Sequence, residues 1–217
     1  MDIHVEKSAL IEIDVQNDFC PGGALAVADG DAVIGPLNEA ARRFAAAGAP
    51  VIATQDWHPA GHCSFASTGK KPAGNEVFSG NEGVSGNEGF SGNEVLWPDH
   101  CVQGTPGADF HRGLDLRPVT LIVRKGFRPS IDSYSAFFEN DRKTPTGLAG
   151  YLNSLGVKTV YLGGLATDYC VFFSAMDAVK LNFTVCLMRN AVRGVNYPEG
   201  SVEKALREME RAGVRMI

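Results

Sequence analysis

The sequence lacks the features that would place the protein on a membrane or on nucleic acid. No apolar run is long enough to cross a bilayer, and the net charge of −5 offers no basic surface for nucleic acid or anionic lipid. The first residues, MDIHVEKSALIEID, include an early acidic residue and only a short apolar stretch, which argues against a secretory signal. We therefore expect neither a nucleic acid nor a membrane as a partner.

Cysteine is scarce and shows no pairing pattern. The chain has five cysteines, an odd number, and no CxxC pair. We therefore expect no disulfide framework, and a reducing cytoplasm is the expected compartment. A hydrophobic content of 44% over 217 residues is ordinary for a globular protein and is enough for one full core. We predict a single domain spanning residues 1–217.

Strand-like apolar runs alternate with segments of helical periodicity. This alternation is typical of βαβ units. We predict an α/β fold with three layers: a mostly parallel six-stranded sheet with helices on both faces. The predicted strands are 8–14, 50–56, 119–125, 158–164, 183–188 and the final VRMI, and the predicted helices are 31–48, 146–156, 168–182 and 198–213.

One segment departs from this pattern. At about 74–95 the chain repeats the six-residue unit GNExxS. Hexapeptide repeats can build a β-helix, but about three copies are too few to stack into a core, so a Gly/Asn/Ser-rich loop insertion is the favoured interpretation. Apolar residues recur at an even spacing, so an extended chain directs them to one side, which we expect to rest on the parent domain or a neighbouring subunit. They are Phe78, Val84, Phe90 and Leu96.

Reactive side chains follow four of the predicted strands. Asp14, Asp56 and Lys125 end the first three strands, and the loop after the fourth delivers Cys170. Each charge alone is compatible with a solvated loop, and a lone cysteine more often packs as a small core residue. Ligands of open parallel sheets bind beyond the carboxyl ends of the strands. The four residues together therefore favour a functional site.

A nucleophilic cysteine needs activation, because a free thiol has a pKa of about 8.5. Thr167 or Asp168 could cap the following helix and place Cys170 in its first turn, where the dipole favours the thiolate. Asp14 could then accept the thiol proton, and Lys125 could stabilise the anions on either side. The candidate oxyanion-hole donors are the backbone N–H groups of Ala166 and Cys170.

Three of the five histidines fall near a strand-end carboxylate, in the motifs QDWHPAGHCSF and LWPDHCVQG. Imidazoles beside a carboxylate suit Zn²⁺, Fe²⁺ or Mn²⁺, and three protein ligands leave coordination positions open for a working metal. The ordinary alternative is a surface or core histidine. The candidate ligands are Asp56, His58, His62 and His100, whereas His4 and His111 are assigned to the ordinary class.

Five segments together resemble the nicotinamidase/pyrazinamidase family of the isochorismatase-like cysteine hydrolases. The resemblance runs from residue 11 to beyond 190 and covers nearly the whole chain except the GNE repeat. Isochorismatases and N-carbamoylsarcosine amidases share the triad and the fold but lack the metal histidines, so the histidines point to the nicotinamidase branch. The segments are IEIDVQNDFCPGGAL, QDWHPAGHCSFAS, LWPDHCVQGTPGADFH, VRKGFRPSIDSYSAFFEND and GGLATDYCV.

The resemblance implies a catalytic triad, a metal centre and an aromatic pocket. The metal is one divalent transition ion, with Zn²⁺ expected first and Fe²⁺ or Mn²⁺ as alternatives. A cis peptide is implied between Leu165 and Ala166. The implied residues are Asp14, Lys125 and Cys170 for the triad, Asp56, His58 and His62 as direct metal ligands, His100 near the metal directly or through water, and Phe19, Trp97 and Tyr134 around the substrate ring.

The implied activity is hydrolysis of nicotinamide to nicotinate and ammonia through a cysteine thioester, with pyrazinamide also accepted, in NAD salvage. The implied partner is a small molecule, and a homo-oligomer is left open. Two alternatives stand beside this activity. One is an amidase of the same superfamily that acts on another small amide, and the other is a non-catalytic module that binds a metal or ligand. The complete triad argues against the second.

Overall fold

The computed structural model describes residues 5–69 and 95–217. Strands and helices alternate in the order β1 (Ser8–Ile13), α1 (Ile34–Ala46), β2 (Val51–Asp56), β3 (Val119–Lys125), α2 (Leu148–Ser154), β4 (Thr159–Leu165), α3 (Phe172–Lys180), β5 (Thr184–Arg193), α4 (Ser201–Arg211) and β6 (Arg215–Met216). One sheet has the strand order β3-β2-β1-β4-β5-β6, and each neighbouring pair is parallel. The predicted α/β fold with six parallel strands is confirmed.

Helices cover both faces of this sheet. On one face, α1 buries Leu37 and Phe44 in a core with Leu10 and Tyr161, and the rings of Phe44 and Tyr161 meet edge-on at 5.3 Å. On the other face, α2, α3 and α4 enclose a second core that includes Ile11. The central strand β1 is therefore buried at every residue, whereas the edge strand β3 alternates between exposed positions and positions that are half-buried or buried.

Two predicted boundaries differ from the structure by more than three residues, and the others differ by three residues or fewer. The fifth strand, predicted to end at 188, continues to Arg193, because its pairing with β4 resumes after a register shift and aligns Leu165 with Arg193. The helix predicted over 168–182 begins as a π-helical turn, Thr167–Val171, and becomes α-helical only at α3. Both differences lie beside Cys170, at the carboxyl edge of the sheet.

The GNE repeat lies almost entirely outside the described residues, so its predicted packing stays a prediction. Leu96, the one described member of its apolar series, is 37% exposed. His4 also falls outside the described residues. Within them, no helix combines the length and apolarity that a membrane crossing requires.

Candidate active site

The first, third and fourth strands place the predicted triad residues around one ammonium group. Asp14 follows β1 with a left-handed backbone (φ 49°), and Lys125 ends β3. The Nζ atom of Lys125 lies 2.8 Å from Asp14 Oδ2 and 3.5 Å from Cys170 Sγ, and it donates a hydrogen bond of 2.9 Å to the carbonyl of Ser133. The structure therefore brings Asp14, Lys125 and Cys170 into one buried cluster.

Asp56 also belongs to this cluster. Its Oδ1 atom accepts a hydrogen bond from Lys125 Nζ, so one ammonium group serves two carboxylates. Asp14 is further held by Thr54, whose hydroxyl donates a bond of 2.6 Å to Asp14 Oδ1. Asp14 and Lys125 have no exposed surface, and Cys170 is 6% exposed. At this depth each charge depends on its neighbours rather than on water.

Burial and the positive charge of Lys125 give these groups different pKa values. Burial raises the pKa of Asp14 and raises that of the Cys170 thiol well above its ordinary value, and the positive charge of Lys125 only partly offsets both effects. Burial acts on Asp56 in the same direction, but Lys125 and His58 outweigh it and hold the pKa of Asp56 below its usual range. For Lys125, burial lowers the pKa, but Asp14 and Asp56 outweigh it and raise the pKa well above its usual value. The resting cysteine is therefore a thiol.

The predicted helix cap is wrong. The π-helical turn that carries Cys170 follows Ala166 in extended conformation, and no side chain caps it. Asp168 instead turns to the loop between β5 and α4, where its carboxylate accepts bonds from the amides of Val195 and Asn196 and from the hydroxyl of Ser201. The cis peptide predicted between Leu165 and Ala166 is present.

Three predicted metal ligands point their donor atoms at one another. Asp56 Oδ2 lies 3.6 Å from His58 Nε2 and 4.0 Å from His100 Nε2. The Nδ1 atoms face carbonyls, that of His58 at 2.8 Å from Gly126 and that of His100 at 2.7 Å from Pro98. A carbonyl only accepts a hydrogen bond, so each Nδ1 carries the proton and each Nε2 is left as a ligand.

These distances fit a divalent metal. Two donors on one zinc ion, each about 2.0–2.2 Å from it, lie at most about 4.3 Å apart. The potential ligand atoms of Asp56, His58 and His100 all lie within 4.8 Å of one another. Gly126 permits this arrangement, because it has φ +63° and an added Cβ would come within 2.5 Å of His58 Cε1.

His62 has a different position from the one expected of a direct ligand. Its ring stacks on that of His58, with centroids 4.3 Å apart. Its Nδ1 lies 2.7 Å from the hydroxyl of Ser64, and its Nε2 lies 3.2 Å from the carbonyl of Ile131. Both nitrogens therefore have protein partners. The donor atoms of His62 group with those of His58 and Asp132, rather than with those of Asp56.

A cavity opens between the cysteine and the imidazoles, and aromatic rings form its wall. The three predicted pocket residues, Phe19, Trp97 and Tyr134, line it together with Ala166 and Cys170. Trp97 Nε1 donates a hydrogen bond of 3.1 Å to the hydroxyl of Tyr134. The pocket residues that sequence reasoning missed are Leu25, Asp132, Tyr169 and Val195.

One missed residue had a sequence signal. Tyr169 directly precedes Cys170, and its ring meets Trp97 edge-on at 4.9 Å and Tyr134 at 5.5 Å. Its hydroxyl donates a bond of 2.5 Å to the carbonyl of Tyr197. Its position next to the cysteine could have indicated Tyr169. Leu25 and Asp132 also lie within segments that carry the resemblance, whereas Val195 lies outside all of them.

Known proteins are similar to this chain over nearly its whole length. The profile of the isochorismatase domain family matches residues 8–217. A nicotinamidase of Acinetobacter baylyi is 46% identical over 96% of this chain and 91% of its own length.

Two solved structures are similar throughout. A protein of L. infantum named PnC1, solved in complex with nicotinate, has a TM-score of 0.81 and 36% identity over 100% of this chain and 95% of its own. The pyrazinamidase of Pyrococcus horikoshii, solved in complex with zinc, has a TM-score of 0.77 and 39% identity over 97% and 98% of the two chains. Both similarities extend over at least 97% of this chain.

Proposed function

The chain belongs to the isochorismatase domain family, and from this premise we propose that it is a nicotinamidase that hydrolyses nicotinamide to nicotinate and ammonia and also accepts pyrazinamide. One observation carries the proposal: a single aromatic cavity is bounded by Cys170 on one side and by Asp56, His58 and His100 on the other. The nicotinate and zinc complexes of the two similar structures support a pyridine ligand and a divalent metal.

Cys170 is the nucleophile in this proposal, and Asp14 is its base. As Sγ attacks the carboxamide carbon, the thiol proton passes to Asp14, whose raised pKa lets it hold that proton. Lys125, 3.5 Å from Sγ, stabilises the negative charge that develops on sulfur. The backbone N–H groups of Ala166 and Cys170 receive the oxyanion.

The second half of the reaction uses the same groups. Asp14 gives its proton to the leaving nitrogen, the C–N bond breaks, and ammonia departs from a thioester on Cys170. Water then attacks the thioester carbon and gives a proton to Asp14. The C–S bond breaks, nicotinate is released, and the proton returns to sulfur. Atoms balance as nicotinamide plus water giving nicotinic acid plus ammonia, and the acid then passes its proton to ammonia, which leaves nicotinate and ammonium in solution.

The proposed metal ligands are Asp56, His58 and His100, with His62 alongside. When bound, a divalent ion, with Zn²⁺ first and Fe²⁺ or Mn²⁺ as alternatives, supplies a Lewis-acidic centre for the pyridine nitrogen. Phe19, Trp97 and Tyr134 stack around the ring and exclude water from the cavity.

We also propose one domain with the GNE insertion, acting in a reducing cytoplasm in NAD salvage. All five cysteines are buried and none is in a disulfide, which is compatible with that compartment. A homo-oligomer remains open under this proposal.

The test is ammonia release from a panel of small amides: nicotinamide, pyrazinamide, benzamide and N-carbamoylsarcosine. We expect turnover of the first two, loss of turnover with a chelator, and recovery on addition of Zn²⁺. Preferred turnover of another amide would favour a different amidase of the superfamily. Nicotinate binding without turnover of any amide would make the protein a binding module.

A further inference from the structure

Asp132 is a buried carboxylate that the proposed reaction does not use. It lines the active-site cavity and is only 5% exposed. Its Oδ1 atom accepts a hydrogen bond of 2.8 Å from the amide of Ser133. Across residues 5–69 and 95–217, no hydrogen-bond donor lies on its Oδ2 atom, and no lysine or arginine forms an ion pair with it. This oxygen belongs to a residue that lines the cavity, and an unpaired carboxylate oxygen there can bind a cation that enters the cavity.

The neighbours of Asp132 are metal-ligand side chains. A carboxylate oxygen of Asp132 and ring nitrogens of His58 and His62 all lie within 4.8 Å of one another. His58 also belongs to the group with Asp56 and His100. The two groups therefore have one histidine in common and the same composition, two imidazoles and one carboxylate.

A shared histidine argues for one ion rather than two. The Nδ1 atom of His58 is occupied by the carbonyl of Gly126, so His58 has a single nitrogen, Nε2, to offer. His62 has both nitrogens engaged, with Ser64 and Ile131. In the group of His58, His62 and Asp132, the carboxylate of Asp132 is therefore the negatively charged ligand with an unpaired oxygen atom.

Only one of the two carboxylate oxygens of Asp56 faces the imidazoles. Its Oδ1 accepts from Lys125, which leaves Oδ2 as its one atom facing the imidazoles. With Asp56 alone, the donor set would carry one negative charge that is partly neutralised by Lys125. A second carboxylate would balance the charge of a divalent ion and would fill one of the positions that three ligands leave open.

We infer that Asp132 is a further carboxylate of the metal site, which helps to hold the divalent ion from the group that it forms with His58 and His62. This inference rests on the proposed metal dependence, but it concerns the affinity of the ion rather than the hydrolysis. It assigns to the loop after β3 a role in metal retention.

The test measures metal affinity on metal-depleted protein, by chelator competition with Zn²⁺ and by the visible spectrum of bound Co²⁺. We expect Asp132→Asn to weaken Zn²⁺ binding by about 10- to 100-fold and to change the Co²⁺ spectrum. Asp132→Glu keeps the charge and should recover part of the affinity. Asp109→Asn removes an exposed carboxylate and serves as the matched control, with unchanged affinity.

Thermal unfolding without metal shows whether each variant is folded. Wild-type Zn²⁺ affinity in folded Asp132→Asn would overturn the inference, as would an equal loss in Asp109→Asn. A raised KM for nicotinamide at unchanged metal affinity would also overturn it and make Asp132 a substrate-binding residue. None of these results would remove amide hydrolysis, which the ammonia assay measures separately.

Discussion

At the scale of single residues, one buried ammonium group contacts two carboxylates whose pKa values are shifted in opposite directions. Lys125 contacts both Asp14 and Asp56. Lys125 and His58 hold the pKa of Asp56 below its usual range, whereas burial raises the pKa of Asp14. Such pairs of acids with divergent environments often divide the roles of a reaction. Here Asp14 is the one suited to exchange protons, and Asp56 is the one suited to hold a cation.

The first prediction concerns the nucleophile. Cys170→Ala should reduce ammonia release to background, by roughly 10⁴-fold or more, because no other thiol lines the cavity among the described residues. Nicotinate binding and thermal stability should remain close to wild type. Rapidly quenched wild-type reactions should show a nicotinoyl adduct on Cys170 by mass spectrometry.

The control for this prediction is Cys186→Ala, which removes an equally buried thiol from the core beneath α1. It should keep its turnover. Hydrolysis by Cys170→Ala, or an adduct on another residue, would exclude Cys170 as the nucleophile.

The second prediction is that His100 contributes more to metal binding than His62 does. His100 presents Nε2 to Asp56, whereas both nitrogens of His62 have protein partners. His100→Ala should therefore weaken metal binding at least about tenfold more than His62→Ala. Metal content and chelator competition measure this difference. His111→Ala, outside the pocket lining, should bind metal as the wild type does; equal losses in His62→Ala and His100→Ala would contradict the assignment.

At the scale of elements, one carboxylate fastens the loop before α4 to the turn that carries the cysteine. Asp168 accepts two hydrogen bonds from that loop and one from Ser201, the first residue of α4, and Val195, near the start of the loop, lines the cavity. A wall of the pocket is therefore positioned by the same turn that positions the nucleophile.

Asp168→Asn should loosen this loop, since an amide nitrogen would face two backbone donors. We expect a loss of about 2 kcal/mol in the free energy of unfolding and a higher KM for nicotinamide. Urea unfolding and steady-state kinetics measure both. Glu203→Gln, on the exposed face of α4, should change neither quantity appreciably. An unchanged KM in Asp168→Asn would show that the loop does not shape the pocket.

The central strand carries an ionisable group with no assigned role. Glu12 in β1 is fully buried beside Ala53 and Gly163, and neither carboxylate oxygen has a hydrogen-bond partner among the described residues. Burial, reinforced by Asp115, raises its pKa from 4.5 to about 8. The folded protein therefore keeps Glu12 protonated at pH values where the unfolded chain has lost that proton.

The raised pKa of Glu12 determines how the free energy of unfolding changes with pH. Between pH 4.5 and about 8 the folded state binds the extra proton, so Glu12 makes stability fall as pH rises. Glu12→Gln cannot titrate. The stability of this variant relative to wild type should therefore increase from pH 5 to pH 8, by at most about 1.4 kcal/mol per pH unit. Urea unfolding at several pH values tests this, and parallel profiles for the two proteins would contradict it.

At the scale of the whole molecule, the site residues lie on both sides of the GNE repeat. His62 precedes the repeat and Trp97 follows it, and Phe65 and Trp97 are joined by a β-bridge. The described segments that flank the insertion are therefore held close together.

Replacing residues 74–94 with a short Gly/Ser linker should preserve nicotinamide hydrolysis within about tenfold, which corresponds to about 1.4 kcal/mol of barrier. Ammonia release per metal-loaded chain is the measurement, with thermal unfolding as the control for folding. Collapse of activity in a folded, metal-loaded variant would make the repeat a working part of the pocket.

The sequence by itself determined the α/β order of the elements and the position of the reactive side chains at the carboxyl ends of the strands. Apolar periodicity is a local property, and parallel strands collect their carboxyl ends at one edge, so Asp14, Asp56, Lys125 and the turn with Cys170 could be located from strand order alone. The motifs that carry the resemblance also lie within short segments, so they could be read without the fold.

Only the tertiary structure decided which atoms face which. The carbonyls of Gly126, Pro98 and Ile131 come from separate loops, yet they determine which nitrogens of His58, His100 and His62 are free. The partners of Asp168 and the cavity position of Asp132 depend on chain packing in the same way. Hydrogen bonds and buried charges act over a few ångströms between residues far apart in sequence, so motif spacing names the groups while packing sets their direction and protonation.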